Sequence, residues 1–328
     1  MGYADDYICE ADTVIIGRKG SINNPIYVDE PFWNVDTAFG LCAKKDILIP
    51  RYLYYFCRHF NFERLNKAVT IPSLTKSDLL KIEIKIPKID EQRNVVDRLL
   101  KVEQIIRMRK KELCELNELI KARFVEMFGN PILNSMKWNK KSLKDVCTKL
   151  NDGTHFSPES FEVGEYKYVT AKNIKLSGFD FSNITYVSEE VHRPIFERCN
   201  PEYEDVLYIK DGATTGIAMV NTLKEEFTLL SSVALLKQDR KIMNGYFLTA
   251  LLNNEDMYTD IRNKMGGAAI TRLTIAKLNA IKVMVPPIDL QNQFATFVHQ
   301  VNKSKFEVQK SLEKTQILFD SLMQEYFG

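Results

Sequence analysis

The run Thr70-Ile-Pro-Ser-Leu-Thr75, then Ile84-Lys-Ile-Pro87, Asp90-Glu-Gln92, a long charged helical stretch and Phe124-Val-Glu126-Met-Phe128-Gly129, decides how this chain is read. It returns 199 positions later as Ala269-Ile-Thr-Arg-Leu-Thr274, Val283-Met-Val-Pro286, Asp289-Leu-Gln291, a second long helical stretch and Met323-Gln-Glu325-Tyr-Phe327-Gly328. Solenoid repeats run about 20 to 50 residues, so this period marks a duplicated domain-plus-helix unit. Upstream, Val14-Ile-Ile-Gly-Arg18-Lys-Gly20 matches Val206-Leu-Tyr-Ile-Lys210-Asp-Gly212 at an offset of 192, and the change of offset implies loops of different length. In the second half the stretch from near Trp138 precedes Val206, whereas only 13 residues precede Val14, so the first unit is expected to be truncated on its N-terminal side.

At 328 residues the chain is long enough for two domains, each burying its own core. A net charge of +2 with 27% charged residues neither requires nor excludes a nucleic-acid partner, because clustering matters more than the sum. The cysteines at 9, 42, 57, 114, 147 and 199 form no Cys-x-x-Cys and no paired His spacing, which points to reduced thiols and away from a zinc site or a disulfide framework. No apolar run approaches the length of a membrane span and the N-terminus lacks signal-peptide character. The expected location is the cytoplasm, with no membrane partner and no cofactor.

Each long helix follows a strand signal that ends in proline. Around Ile82-Glu-Ile-Lys-Ile86 apolar and charged residues alternate with period two, which predicts a half-buried strand ended by Pro87; Val283-Met-Val285 before Pro286-Pro287 does the same. Asp90 and Asp289 are read as helix N-caps. A heptad frame on the first helix takes Val95, Leu99, Val102, Ile106, Arg109, Leu113, Leu116, Ile120, Arg123 and Met127 as its core positions. Shifted by 199, it takes Phe294, Val298, Val301, Lys305, Val308, Leu312, Thr315, Phe319, Leu322 and Tyr326. Each set is apolar apart from two polar positions, a pattern that predicts a coiled coil between the helices; two amphipathic helices packed separately on their own domains is the alternative. A helix of about 38 residues is roughly 57 Å long. Two heads on such a rod suit a DNA site split by one to two turns of duplex, each about 34–36 Å.

Catalytic signatures are missing: no Gly-x-Gly-x-x-Gly, Walker loop, His-Glu-x-x-His or Gly-x-Ser-x-Gly, and no Asn-Pro-Pro-Tyr or Asp-Pro-Pro-Tyr of the kind a DNA amino-methyltransferase uses. The chain is read as binding without catalysing. In the second half, Asn151-Asp-Gly-Thr-His-Phe-Ser-Pro158, Tyr168-Val-Thr-Ala-Lys-Asn-Ile174, Tyr186-Val-Ser-Glu-Glu190-Val-His192, Asp205-Val-Leu-Tyr-Ile-Lys-Asp-Gly212 and the closing Pro-Pro-Ile-Asp-Leu-Gln291 occur in order. Together with the helices they resemble the specificity (S) subunits of type I restriction–modification systems. The resemblance covers essentially the whole chain. It implies an α+β fold in which two α/β target recognition domains are separated by two long helices forming an antiparallel coiled coil. The segments are then 1–86 (a partial first recognition domain), 87–129 (central conserved helix), 130–286 (second recognition domain) and 287–328 (distal conserved helix). It also implies a non-catalytic subunit that reads a bipartite double-stranded DNA site and scaffolds two methyltransferase subunits and the restriction subunits. The first domain departs from the family pattern in lacking its opening portion. The alternative function is therefore a truncated or recombined fragment acting in interaction or dimerisation, completed by a self-dimer or by a second S fragment.

Candidate DNA contacts follow from loop chemistry. Thr154, His155 and Ser157 share a Gly/Pro-bounded loop that either reaches bases and phosphates or forms a turn capping a strand. Lys172 pairs with Asn173, whose amide suits bidentate adenine recognition. Lys210, Thr214 and Thr215 lie on a Gly212/Gly216 loop that is either a phosphate cradle or a simple hairpin turn. Arg262, Lys264 and Arg272 flank Gly266-Gly267 as the densest basic patch. Arg18, Lys19, Arg64 and Lys67 are the first-half counterparts. Arg107-Met-Arg109-Lys-Lys111 is read as a solvated helix face, and Tyr52, Tyr54, Tyr55, Phe56 and Phe60 as core.

Overall fold

The computed structural model describes residues 5–67, 70–265 and 272–328. The first part of the chain forms strands β1 (Thr13–Gly17), β2 (Ile26–Val28) and β3 (Ala38–Cys42), helices α1 (Pro50–His59) and α2 (Lys76–Leu79), and the long helix α3 (Ile89–Phe128). There follow β4 (Lys140–Ser142), α4 (Leu143–Val146), β5 (Cys147–Asp152), β6 (Tyr166–Val169), β7 (Ile174–Lys175), β8 (Gly178–Phe179), β9 (Thr185–Val187) and α5 (Glu189–Arg198). The remainder is β10 (Val206–Ile209), β11 (Ala218–Val220), β12 (Phe227–Leu229), β13 (Val233–Gln238), α6 (Gly245–Leu252), α7 (Glu255–Asn263), α8 (Ile275–Ala280), β14 (Lys282–Met284) and a second long helix, α9 (Ile288–Phe327). The chain divides into two compact units. Unit 1 runs through Leu113 and adds Phe306–Gly328; unit 2 is Cys114–Lys305.

In unit 1 the sheet order is β2-β1-β3, all antiparallel. Val14 and Ile16 point inward from β1 and meet Tyr52 and Tyr55 of α1, which Pro50 starts at its first turn. The beginning of α3 and the end of α9 close this core: Leu99, Val102 and Ile106 join Phe319 and Met323, and Tyr55 lies edge-on to Phe319 at 6.4 Å between centroids. Arg98 donates to the Tyr326 hydroxyl at 3.1 Å, so the early turns of one helix face the late turns of the other, the antiparallel sense.

In unit 2 the order is β11-β10-β13-β5, which is the unit 1 sheet with one strand added at its outer edge. A second sheet, β12-β6-β9, and the pairs β14-β4 and β7-β8 have no counterpart among the described residues of unit 1. Phe124 and Phe128 near the end of α3 pack on Phe294 near the start of α9 and on Phe247 of α6, again in the antiparallel sense. Across the two helices none of the heptad core positions is exposed. Phe124 and Phe128 lie outside that frame and bury against the domain, so the helices serve both a seam and their own cores.

The polar seam positions are handled individually. Arg109 and Arg123 keep a buried Nε without a hydrogen-bond partner and pair their heads with Glu112 and Glu126, 2.7 and 2.8 Å away. Thr315 donates to the Ser311 carbonyl. Burial pushes the Lys305 ammonium below the usual lysine range. Arg107, Lys110 and Lys111 are exposed on the solvated face, and Tyr52 and Tyr55 are core.

Two expectations are corrected. Asp90 and Asp289 lie inside the first helical turn, where they complement the positive end of the helix instead of capping it. Residues 82–85 keep the alternating exposure of a strand, Ile86 breaks it by lying exposed, and no strand forms. The equivalent β14 exists because β4 pairs with it, through Lys282 with Ser142, Val283 with Lys141 and Met284 with Lys140; the described residues of unit 1 hold no such partner.

Both units are pinned to their long helix by one buried glutamine. Gln92 donates through Nε2 to the carbonyls of Ile47 and Pro87 at 2.9 and 2.8 Å, and its Oε1 accepts the Ile49 amide at 2.9 Å. Gln291 repeats this with Ile242 and Pro286 at 3.0 and 2.8 Å, and with the Asn244 amide at 2.9 Å. Thr75 and Thr274 each cap the short helix that precedes the long one. The duplication seen in the residues is thus conserved at the level of single hydrogen bonds.

Candidate nucleic-acid interface

One end of the unit 2 sheet gathers most of the residues singled out from the sequence. β10 is buried along its whole length and delivers Lys210, Asp211 and the Gly212–Gly216 loop. The neighbouring β13 pairs on its other side with β5, whose last residue, Asp152, leads into Gly153 and Thr154. Gly153 sits so close to the Leu229 carbonyl that an added Cβ would lie 1.9 Å from its oxygen. That approach lets the Thr154 amide donate to Leu229 at 2.8 Å and the Ser231 amide donate to Thr154 at 2.8 Å. The returning segment joins here too: the Leu273 amide donates to the Lys210 carbonyl at 2.8 Å.

Several candidates are buried or have their polar groups engaged within the fold. Thr154 is buried and forms the turn that caps its strand, exchanging hydrogen bonds with Phe156 through its hydroxyl. Asn173 accepts from the Thr170 amide and hydroxyl and donates to the Asp180 carbonyl, so its amide is engaged within the fold. Thr215 donates to the Gly212 carbonyl at 2.6 Å and closes the loop from inside. Lys210 is only 1% exposed, with Nζ at 2.7 Å from Asp211 and 3.3 Å from Asp152. Arg262 donates to the Thr215 carbonyl at 2.8 Å and lies over the Tyr258 ring, bracing the loop.

The remaining candidates face solvent. His155 and Ser157 are exposed on the turn, Lys172 on its 3-10 turn and Thr214 at the loop tip. Arg272 is 61% exposed with Nε 3.4 Å from Asp211 Oδ1, and Lys264 pairs with Asp260. Gly266-Gly267 and the Ala269–Thr271 part of the repeat lie outside the described residues. In unit 1 Arg18, Lys19, Arg64 and Lys67 are all exposed; Arg18 donates to the Asp36 carbonyl and Lys67 pairs with Asp78 at 3.0 Å.

Two residues that the sequence reading passed over complete the rim. Arg198, at the end of α5, donates to the Gly153 carbonyl and holds Nη1 3.6 Å from Asp152. Phe156 projects its ring into solvent. With Thr154, His155, Glu190 and Pro194 they line an open cleft of about 370 Å³. Arg198 was invisible in the sequence because it is nearly fifty residues from Gly153 and has no motif of its own.

The rim carries donors and cations rather than a nucleophile with a base. The thiols of Cys147 and Cys199 are pushed up to about 12 by burial, which keeps them protonated. His192 stacks on Tyr166 at 3.9 Å, bonds Thr228 at 2.8 Å and Glu226 at 3.2 Å, and is a structural histidine whose pKa burial lowers. Among the described residues no three His, Cys, Asp or Glu side chains gather as a metal ligand set, and no helix is long and apolar enough to cross a membrane.

The family model described as the type I restriction modification DNA specificity domain matches residues 1–118 and 136–317. The type I restriction enzyme MjaIX specificity subunit of Methanocaldococcus jannaschii is 21% identical over 333 residues, an alignment that spans 94% of this chain and 73% of that protein. The putative MjaX specificity subunit of the same organism is 20% identical over 304 residues, spanning 84% and 68%. Among solved structures, a type I restriction–modification S subunit from M. genitalium superimposes with a TM-score of 0.63 at 17% identity, covering all of this chain and 86% of that one. A chain from a study of type I R-M complex assembly and conformational transition superimposes at 0.58 and 17% identity, covering 97% and 82%. At these identities the superpositions establish the fold.

Proposed function

Since the chain belongs to the type I restriction–modification DNA specificity family, as a non-catalytic subunit that recognises DNA sequence, we propose that unit 2 reads one half of a bipartite duplex site through the rim described above. The observation that carries this reading is the convergence of the Thr154–Ser157 turn, the Gly212–Gly216 loop, Arg198 and Arg272 at one end of one sheet. Exposed cations there supply phosphate contacts, while His155, Ser157 and Thr214 supply the short polar groups that suit base edges. The repeated glutamine clamp and capped turn support a second, homologous attachment in unit 1, and so a two-part site. In this reading two methyltransferase subunits and the restriction subunits supply the chemistry on the DNA of the cytoplasm.

A salt titration of the purified chain on a duplex selected from a random library, against an unselected pool, tests this reading. Specific reading requires preference of about 10³ or more with strong salt dependence. Equal affinity for both duplexes contradicts sequence reading.

A further inference from the structure

We propose that the buried Asp152–Lys210 pair is a positioning device for sequence readout, fixing the Thr154–Ser157 turn, the Gly212–Gly216 loop and Arg272 relative to one another. The proposal rests on reading the unit 2 rim as the DNA-contacting surface. Asp152 is 3% exposed and holds three cationic or protonatable groups from three segments. Lys210 Nζ stands 3.3 Å from Oδ2, while His155 Nε2 at 3.1 Å and Arg198 Nη1 at 3.6 Å share Oδ1. Lys210 also reaches Asp211 Oδ2 at 2.7 Å, and the other oxygen of Asp211 has no hydrogen bond and faces Arg272. One ionic chain therefore runs from the turn after β5, through the end of β10, to the returning segment at Arg272, with the end of α5 attached.

The choice of charged groups is itself informative. A buried ion pair gives little net stability compared with apolar side chains of the same volume, but it tolerates few geometries, so its attested use is to specify an arrangement. Arg18 takes the backbone place of Lys210, with the Leu74 amide donating to its carbonyl at 2.9 Å as Leu273 does to Lys210; Arg18 is exposed, whereas Lys210 is buried against its carboxylates.

The test uses the full chain and a duplex it selects from a random library, with an unselected pool as reference. In the double variant Asp152→Asn/Lys210→Met the preference for the selected duplex is expected to fall at least ten-fold. Affinity for the pool and its salt slope should stay unchanged, because Arg198 and Arg272 remain. Hydrogen exchange at the Thr154 and Leu273 amides should accelerate. A folded double variant with wild-type preference and wild-type exchange overturns the proposal. Lys210→Gln removes the charge but keeps a polar side chain, and serves if the double variant does not fold: a several-fold loss of preference with unchanged pool binding supports the proposal, and full retention overturns it. If the unmutated chain selects no duplex, the DNA reading fails, and the exchange measurement alone decides whether the pair positions the turn.

Discussion

The three-stranded sheet of unit 1 and the matching strands of unit 2 share an order and differ in what covers them. In unit 2 the connection between β11 and β13 contains β12, which pairs beside β6, and Phe227 and Leu229 are fully buried in a core with Leu207, Ile209 and Leu235. The equivalent connection in unit 1, between β2 and β3, leaves Trp33 54% and Val35 59% exposed. The outer edge of β13 is paired with β5, whereas β3 ends its sheet among the described residues. Both units share the strands, the capped turn and the glutamine that fasten a domain to a long helix, and the proposed rim is built on the strands that in unit 2 surround this common part.

The strongest way to break this comparison is a pair of core substitutions. Phe227→Ala is expected to destabilise unit 2 by about 3–5 kcal/mol in denaturant unfolding, while Trp33→Ala in unit 1 should change stability by no more than about 0.5 kcal/mol. Equal losses would mean that Trp33 is covered. Next come the clamps: Gln92→Ala and Gln291→Ala each orphan two carbonyls and an amide. Each should cost about 3 kcal/mol, and similar losses in the two units would confirm a common attachment device.

DNA binding sharpens the contrast on a smaller scale. Arg198→Ala and Arg272→Ala are each expected to weaken duplex binding about ten-fold and to lower the salt slope by roughly one. Arg18→Ala should do less, since Arg18 lies outside the unit 2 rim and donates to the Asp36 carbonyl. The smallest effect is that of pH. Burial holds the His192 pKa below its ordinary 6.5, so below that value the unfolded chain binds the proton more readily than the folded one. Stability of unit 2 is then complete above about pH 6.5 and declines as the pH falls. His192→Gln should flatten that acid limb in a series of melting curves, and an unchanged limb would assign the effect elsewhere.

Much of this architecture was legible in the residues because it depends on local periodicity. The heptad frame picked only unexposed positions on both helices, and the 199-residue repeat located Gln92 and Gln291, although not their role as clamps. Strand 82–86 failed for a non-local reason: alternation describes a half-buried edge, but a strand also needs a partner, and β14 has β4 where residues 82–86 have none. The site was legible as loops and not as side chains. Sequence places Lys210, Thr215 and Asn173 beside turn residues, but burial is decided by Asp152, Gly212 and Thr170, and only the three-dimensional packing shows which way each chain faces. Arg198 joins the rim through a contact with Gly153 that no local pattern encodes.

The central claim is that unit 2 carries sequence recognition. Replacing residues 138–286 with the corresponding segment of another family member, and reading the methylated sequences in a host that supplies the modification subunits, tests it most directly. One half of the methylated motif should change while the other half is retained; an unchanged motif would contradict the account.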